Sequence, residues 1–377
     1  MSTAFRSEPA PIDVPTEPAV RLIPLGGLGE IGLNMMLLES GEDIVAVDCG
    51  LLFPDDEMPG VDYVIPDFSY LAEHRARFRA VVLTHGHEDH IGALSYLLRD
   101  FDVPVYGTPL TLAIARHRLA EHGLLDRVDL RAYKPGEEVV AGCFRIVPMR
   151  VAHSIADGIG LAIDTPAGLV VHTGDFKLDR NPVDGEQPDY SGFAALGARV
   201  VLCLCSDSTN VGRPGRTGSE TQVGEGLRRR FASAPGRIIV ATFASHIHRI
   251  QQVLDIAATC SRKIGLLGRS MAANVAVAAE LGYLKVPDNV LWPLEDLVEL
   301  PANRQVILST GSQGEPNSAL SLMAAGEHKH VSVGEGDLVI FSSRVIPGNE
   351  RVIGRLINSL LRRGAEVLWE DVAFVHV

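Results

Sequence analysis

Three imidazoles and a well-placed carboxylate fall within six consecutive residues, His85-Gly-His-Glu-Asp-His90. Neutral imidazole with carboxylate is the donor set that zinc takes when no thiolate is offered. Ahead of the cluster, Ala80-Val-Val-Leu83 is apolar and β-branched and reads as a buried strand; behind it, Ile91-Gly-Ala-Leu-Ser-Tyr-Leu-Leu98 has helical spacing. The cluster is therefore expected on a strand-to-helix turn. His85 and His87, two apart in an extended loop, can face one way. Asp89 and His90 fall on the first helical turn and face another, which suits two adjacent metal ions rather than one. A lone histidine pair is more often solvated or packed than ligating. Here ligand-type residues recur at later strand exits: His153 after the run 144–151, and Asp175 after 169–172.

The elements that must position these groups follow from the rest of the chain. With 377 residues, 46% hydrophobic and 21% charged, the composition is that of an ordinary soluble globular protein with room for two domains. No apolar run approaches membrane-spanning length, and the first twenty residues carry no signal-peptide pattern, so a cytoplasmic location is the default expectation. Cys49, Cys143, Cys203, Cys205 and Cys260 are scattered and read as reduced core thiols; Cys203 and Cys205 share one face of a strand, where packing is a better account than metal binding. The net charge of −13 excludes a broadly basic nucleic-acid surface, though not a local channel, for which Arg228-Arg-Arg230 and Arg362-Arg363 are candidates.

Residues 1–19 hold four prolines without periodicity and are expected to be a flexible tail. Gly27-Leu-Gly-Glu-Ile-Gly32 matches a dinucleotide-binding fingerprint, but the segments 34–39 and 43–48 read as a β-hairpin around Ser40-Gly41 instead of a phosphate-binding helix, so a nucleotide cofactor is rejected. Asp48 ends that hairpin, and Phe53-Pro-Asp-Asp-Glu57 is an exposed acidic loop by composition. After Asp207 the grammar changes. Thr217-Gly-Ser-Glu220 reads as a capping box, and beyond it strands alternate with helices through residue 369, which implies a parallel sheet covered by helices and a boundary near 208–216. The loops that follow these strands, Ala244-Ser-His246, Gly268-Arg-Ser270, Thr310-Gly-Ser-Gln-Gly314, Ser342-Ser-Arg344 and Gly348, are rich in Gly, Ser and His. Together they favour an anion-binding face.

The stretch 85–90 resembles the H-x-H-x-D-H signature of the metallo-β-lactamase superfamily. Leu25-Gly-Gly-Leu-Gly-Glu-Ile-Gly-Leu-Asn34, His172-Thr-Gly-Asp-Phe-Lys177, Ser206-Asp-Ser-Thr-Asn210 and Thr242-Phe-Ala-Ser-His-Ile-His-Arg249 are similar to the ribonuclease J family of its β-CASP branch, a likeness that runs from Arg21 to Val377. The resemblance implies an α/β fold: a metallo-β-lactamase αββα sandwich over 20–212, an inserted parallel β/α β-CASP domain over 213–373, and a return to the first domain at 374–377. The chain stops inside a His-Val-Ser-Gly-His-like segment. The closing segment of the sandwich, the last metal ligand and the family's C-terminal domain are therefore expected to be absent.

By the same resemblance, His85, His87 and His153 bind one zinc, Asp89 and His90 a second, and Asp175 bridges both, with Mn2+ or Mg2+ as substitutes. Asp89, His90 and Asp207 are the implied catalytic residues, with Asp89 taking the nucleophile's proton. Asp48 supports the histidine loop, and the loop at 53–57 lies on the substrate side. Ala244, Ser245, His246, His248, Ser312 and His376 contact substrate. The implied function is a zinc-dependent ribonuclease, a 5′-to-3′ exonuclease with endonuclease activity on single-stranded, preferably 5′-monophosphorylated RNA, working as a homodimer in its full-length form and away from membranes. Three alternatives differ in class. A small-ester or lactam hydrolase lacks the β/α insertion; a DNA-processing β-CASP nuclease differs by its handling of the 2′-hydroxyl; a catalytically impaired RNA-binding fragment differs by its metal content.

Overall fold

The computed structural model describes residues 18–54 and 58–376. Most of the expected N-terminal tail (1–17), Asp55, Asp56 and Glu57 of the acidic loop, and Val377 lie outside the described residues.

Three sheets carry the described chain. In the first, β1 (Arg21–Gly26), β2 (Met35–Ser40), β3 (Asp43–Val47), β4 (Phe78–Val82), β5 (Val105–Gly107) and β6 (Leu130–Ala132) lie side by side in chain order, antiparallel up to β3 and parallel from β3 onward. The hairpin expected around Ser40-Gly41 forms, with Ser40 opposite Asp43. The second sheet comprises β7 (Val139–Ala141), β8 (Phe144–Arg150), β9 (Ile159–Thr165), β10 (Gly168–His172) and β11 (Val201–Cys205). It is antiparallel except for the β10–β11 pair. Alternation along the strands decides how the two sheets meet. Leu38, Val45, Val47, Ala80 and Val82 of the first sheet pack against Phe144, Ile146, Ile159, Leu161, Ile163 and Val170 of the second in one buried cluster. Helices Leu94–Asp100 and Pro109–Glu121 cover the outer face of the first sheet, and Tyr190–Gly197 lies on the second. This is the expected αββα sandwich.

The third sheet comprises β12 (Ile238–Ala241), β13 (Lys263–Leu267), β14 (Gln305–Ser309), β15 (Leu338–Phe341) and β16 (Glu366–Leu368), in the spatial order β13-β14-β12-β15-β16 and parallel throughout. Its strands are continuous apolar runs because both faces are covered. Ile238 and Val240 pack with helices Glu220–Ser233 and Ile247–Thr259, while Ile239 and Ala241 pack with Ala319–Ala325 and Glu350–Arg362. Parallel strands all exit at one edge, so the Gly/Ser/His loops named above, which follow β12, β13, β14 and β15, share that edge.

One sequence expectation, the capping box at Thr217-Gly-Ser-Glu220, is corrected. Ser219 caps the helix Glu220–Ser233, its side chain accepting from Thr221 N, so Thr217 is not the cap. Glu220 does not reach back as a capping box requires, because Lys177 and Arg249 engage its carboxylate in the interior. The Arg363 guanidinium donates to Ala324 O at the end of Ala319–Ala325. The thiols of Cys203 and Cys205 are free and lie against the inter-sheet core, while Leu202 and Leu204 between and beside them are exposed.

Candidate metal centre

Strand exits build the centre, as they do at the carboxyl edge of other α/β sheets. β3 and β4 are parallel neighbours, so Asp48 and the stretch Thr84–His90 emerge side by side. Asp48 sits in the left-handed region (φ 61°), which a short polar side chain tolerates. Its carboxylate turns back onto the next exit. Thr84 N donates to Oδ1 at 2.7 Å, Thr84 Oγ1 donates to Oδ2 at 2.8 Å, and His90 Nδ1 stands 2.8 Å from Oδ2. A carboxylate behind an imidazole fixes the ring's tautomer and aim. Gly50 is required by proximity: a Cβ there would lie 1.6 Å from the Asp89 carbonyl oxygen. Without it, Cys49 N could not bond His90 O, nor Leu51 N bond Glu88 O.

His87 ends the extended loop, and Glu88–Ile91 is one helical turn, as the spacing predicted. His153 follows β8, and Asp175 follows β10 after a turn in which Gly174 N bonds His172 Nδ1 at 3.1 Å. His172 thus shapes the turn and does not enter the cluster. Three donors converge in one group: His87 Nδ1 lies 3.0 Å from His85 Nε2 and 3.2 Å from His153 Nε2, and Asp175 Oδ2 borders it, 4.0 and 3.7 Å from those two Nε2 atoms. The other Asp175 oxygen, Oδ1, lies 3.4 Å from His90 Nε2, which is 3.6 Å from Asp89 Oδ2. Tetrahedral ligands at about 2.0–2.1 Å from a metal stand about 3.3 Å apart, so the spacing of the first group fits one ion and a second ion can share Asp175. His85, His87 and His153 all have ligand atoms within 4.8 Å of one another, and so do His85, His90 and Asp175; Asp89 joins only through His90.

The electrostatics agree for the first group and differ at His90. Burial, helped by His90 and His87, holds His85 well below the ordinary histidine range; burial with His87 does the same for His153, and burial lowers His87. These rings are neutral, the state that ligates. Asp175 is held well below the carboxylate range, because His90, His85 and His153 outweigh its burial. His90 is held well above the imidazole range, because Asp175, Asp89 and Asp48 outweigh its burial.

Two residues near the cluster were not legible as part of it. Asn34 at the end of the Gly-rich loop donates from Nδ2 to Asp89 O at 3.1 Å and to Asp89 Oδ2 at 3.3 Å, and stands 3.1 Å from His90 Nε2. Its position after the glycines was the only signal. Ser154 Oγ lies 3.3 Å from His87 Nε2 and had no signal beyond adjacency to His153.

Comparison with known proteins bears on this geometry directly. Residues 28–218 match the family model of the metallo-beta-lactamase superfamily, and residues 235–360 that of the Ribonuclease J beta-CASP domain. The chain belongs to the metallo-beta-lactamase superfamily. Its β-CASP insert is the third sheet and its helices. The chain is 45% identical over 361 residues to Ribonuclease J of Synechocystis sp., an alignment covering 95% of this chain and 56% of that protein. It is 46% identical over 364 residues to Ribonuclease J of Thermus thermophilus, covering 95% and 63%. The chain thus spans between half and two thirds of the length of these relatives. A solved protein of unknown function from Enterococcus faecalis V583 matches with a TM-score of 0.62 at 14% identity, covering 96% of this chain and 88% of that one, a likeness of fold alone.

Membership of the metallo-beta-lactamase superfamily implies divalent metal binding, and the donor groups above fit it. Among the described residues no helix is long and apolar enough to cross a membrane. The remaining sequence-named residues lie around this centre. Asp207 follows β11, and its Oδ1 accepts from Thr209 N and Oγ1. A small pocket beside His153 is lined by Arg150, Lys177 and His248 together with the carboxylates of Asp157, Asp179, Asp184, Glu186 and Glu220. Ala244 and Ser245 are half-buried, whereas His246 and Ser312 are enclosed. His248 Nε2 pairs with Asp184 Oδ2 at 3.3 Å. His246 caps the helix Ile247–Thr259, accepting from Arg249 N at Nδ1, so its proton sits on Nε2, 3.7 Å from Glu220 Oε1. His376 lies beside it with ring centroids 6.1 Å apart. The Lys177 ammonium is 2.6 Å from Glu220 Oε1, and Arg249 pairs with Glu220 Oε2 and donates to Val375 O at 2.6 Å.

Burial, outweighing the Glu220 carboxylate, pushes His246 down to about 4. The sign of the linkage follows. The unfolded imidazole binds a proton near pH 6.5 and the folded one does not, so stability is full above about pH 6.5 and declines toward pH 4, by at most about 3 kcal/mol. His246→Asn keeps a capping acceptor and removes the titration. Thermal melts across pH 7 to 4 are expected to fall less steeply in that variant than in the native chain; parallel curves would show that other groups carry the acid sensitivity.

Proposed function

We propose that this chain is the catalytic portion of a metal-dependent ribonuclease that hydrolyses phosphodiester bonds of single-stranded RNA, as a 5′-to-3′ exonuclease with endonuclease activity. The reading takes 20–212 as the metallo-β-lactamase domain and 213–373 as the β-CASP domain. The observation that carries it is the conjunction of a donor cluster split by Asp175 into two adjoining groups with a neighbouring parallel sheet matched to the Ribonuclease J beta-CASP domain. His85, His87 and His153 would hold one ion, Asp89 and His90 a second, and Asp175 both. The nitrogen-rich set favours zinc, with Mn2+ or Mg2+ as substitutes. Bound there, such ions supply Lewis-acid polarisation of a phosphoryl oxygen and lower the pKa of water.

The chain's own residues do the rest. Asp89, partly exposed beside His90, would accept the attacking water's proton. Asp48 and Thr84 lock the His90 ring, so its Nε2 keeps its aim through the reaction. By the family likeness, Ala244, Ser245, His246, His248, Ser312 and His376 would belong to the substrate side and Asp207 would sit near the leaving group, with Lys177 and His248 lining the pocket beside His153. By the same likeness, a 5′-monophosphate would be the preferred end.

The test compares 5′-monophosphate RNA, 5′-triphosphate RNA and DNA of one sequence. Zinc-dependent cleavage of the RNAs, fastest for the monophosphate, abolished by chelation and restored by zinc, is expected. Equal cleavage of DNA would favour a DNA-processing nuclease, and stoichiometric zinc without hydrolysis of any strand would sink the catalytic reading.

A further inference from the structure

The Gly-rich loop between β1 and β2 has no role so far. Its spacing matches a phosphate-binding fingerprint, yet no helix follows it, and it runs straight into β2. What the loop presents is Asn34. It folds back so tightly that a Cβ on Gly27 would lie 2.6 Å from Asn34 Oδ1. Leu33, beside Asn34, is in the left-handed region (φ 58°), which a bulky side chain adopts only where its surroundings impose it. Here they do: Leu33 N bonds Leu51 O at 3.1 Å, and Asn34 O accepts from Gly50 N at 2.9 Å. The strained backbone aims one side chain.

That residue meets Asp89, 55 positions away, three times over. Asn34 N bonds Asp89 O at 3.0 Å, and Asn34 Nδ2 bonds the same carbonyl at 3.1 Å and Asp89 Oδ2 at 3.3 Å. A carbonyl oxygen accepts and cannot donate, so the amide turns its NH2 group to Asp89. The same nitrogen stands 3.1 Å from His90 Nε2, and none of these contacts goes to His85, His87 or His153. Among the described residues, Asn34 is the side chain that donates to the Asp89 carboxylate; His90 Nε2 is next, at 3.6 Å. The two donors beyond Asp175 thus have separate supports, Asp48 behind His90 and Asn34 on Asp89. We propose that Asn34 is the positioning residue of the second donor group: its amide fixes the Asp89 carboxylate beside His90, and the Gly-rich loop carries that amide over the histidine turn. This rests on the reading above in which Asp89 and His90 hold the second ion. A carboxylate already aimed needs no reordering when an ion binds, so loss of the amide weakens that ion selectively.

The test titrates the metal-free chain with zinc alone, by calorimetry, at a temperature where every variant is folded. Native protein is expected to show a tight and a weaker phase. Asn34→Ala should weaken the second phase by about 10–100-fold and leave the first unchanged. Asn34→Leu, close in size but without a donor, should match it. Gly29→Ala strains the same loop at φ 77° where nothing lies nearby, and leaves the amide in place; its two phases should stay native. Three results overturn the proposal alone: a native second phase in Asn34→Ala, equal weakening of both phases, which marks a structural role, or a Gly29→Ala loss as large as that of Asn34→Ala. A native chain without a second phase removes the second donor group itself, and Asn34 then has nothing to position.

Discussion

Replacing His85 and His87 together by alanine is expected to abolish metal retention in the first donor group and reduce phosphodiester hydrolysis by well over about 100-fold, since loss of even an outer partner of a metal ligand costs about 10–100-fold. The reason lies in the geometry. His87 Nδ1 is the atom closest to both His85 Nε2 and His153 Nε2, and removing two of the three imidazoles leaves His153 and one carboxylate oxygen, too few to hold an ion against water. Asp48→Asn is the graded control. It keeps every donor but exchanges the carboxylate behind His90 for an amide, and should fall within the 10–100-fold range. Elemental analysis and single-turnover cleavage read both effects. A double variant that retains stoichiometric zinc would remove these histidines from the metal centre.

The second large effect is on stability. Glu220→Ala should destabilise the chain by about 3–5 kcal/mol, because it strands the fully enclosed Arg249 guanidinium and the partly buried Lys177 ammonium without their shared carboxylate. At about 2–4 °C per kcal/mol for a chain region of this size, the melting temperature should drop by roughly 6–20 °C. Glu220→Met combined with Arg249→Met should recover most of the loss, since an apolar pair of similar volume leaves no charge unpaired and Lys177 can reach water. A Glu220→Ala protein that melts within a degree or two of native would mean that Val375 O, Ser342 and Gln252 satisfy Arg249 unaided.

Lys177 follows Asp175 by two residues, so the same ion network that ties the β-CASP helices to the loop after β10 also anchors the residue that joins the two donor groups. Loss of Glu220 is therefore expected to reach metal affinity as well as melting. A calorimetric zinc titration of the variant, compared with native protein at a temperature where both are folded, separates the two.

The sequence by itself determined the chemistry and the elements. Ligand-type residues at 85–90, 153 and 175, each behind an apolar β-branched run, can only be read as side chains delivered at strand exits, and the periodicity that changes after Asp207 separates an inter-sheet core from a parallel sheet buried on both faces. These features are local: they depend on side-chain period and on residue type. Tertiary structure decided whatever depends on residues distant in sequence. That Asp48 turns onto Thr84 and His90 required a left-handed backbone and the parallel pairing of β3 with β4. That Asn34 reaches Asp89 required the Gly-rich loop to fold over the histidine turn. Glu220 looked like a cap because its spacing from Thr217 is local, yet burial of a carboxylate demands cations, and Lys177 and Arg249, 43 and 29 residues away, outbid the helix end for it. His246 and Ser312 looked available because glycine- and serine-rich loops usually lie at the surface. Whether a loop side chain faces solvent or the interior is set by the elements packed against it, and those elements lie elsewhere in the chain.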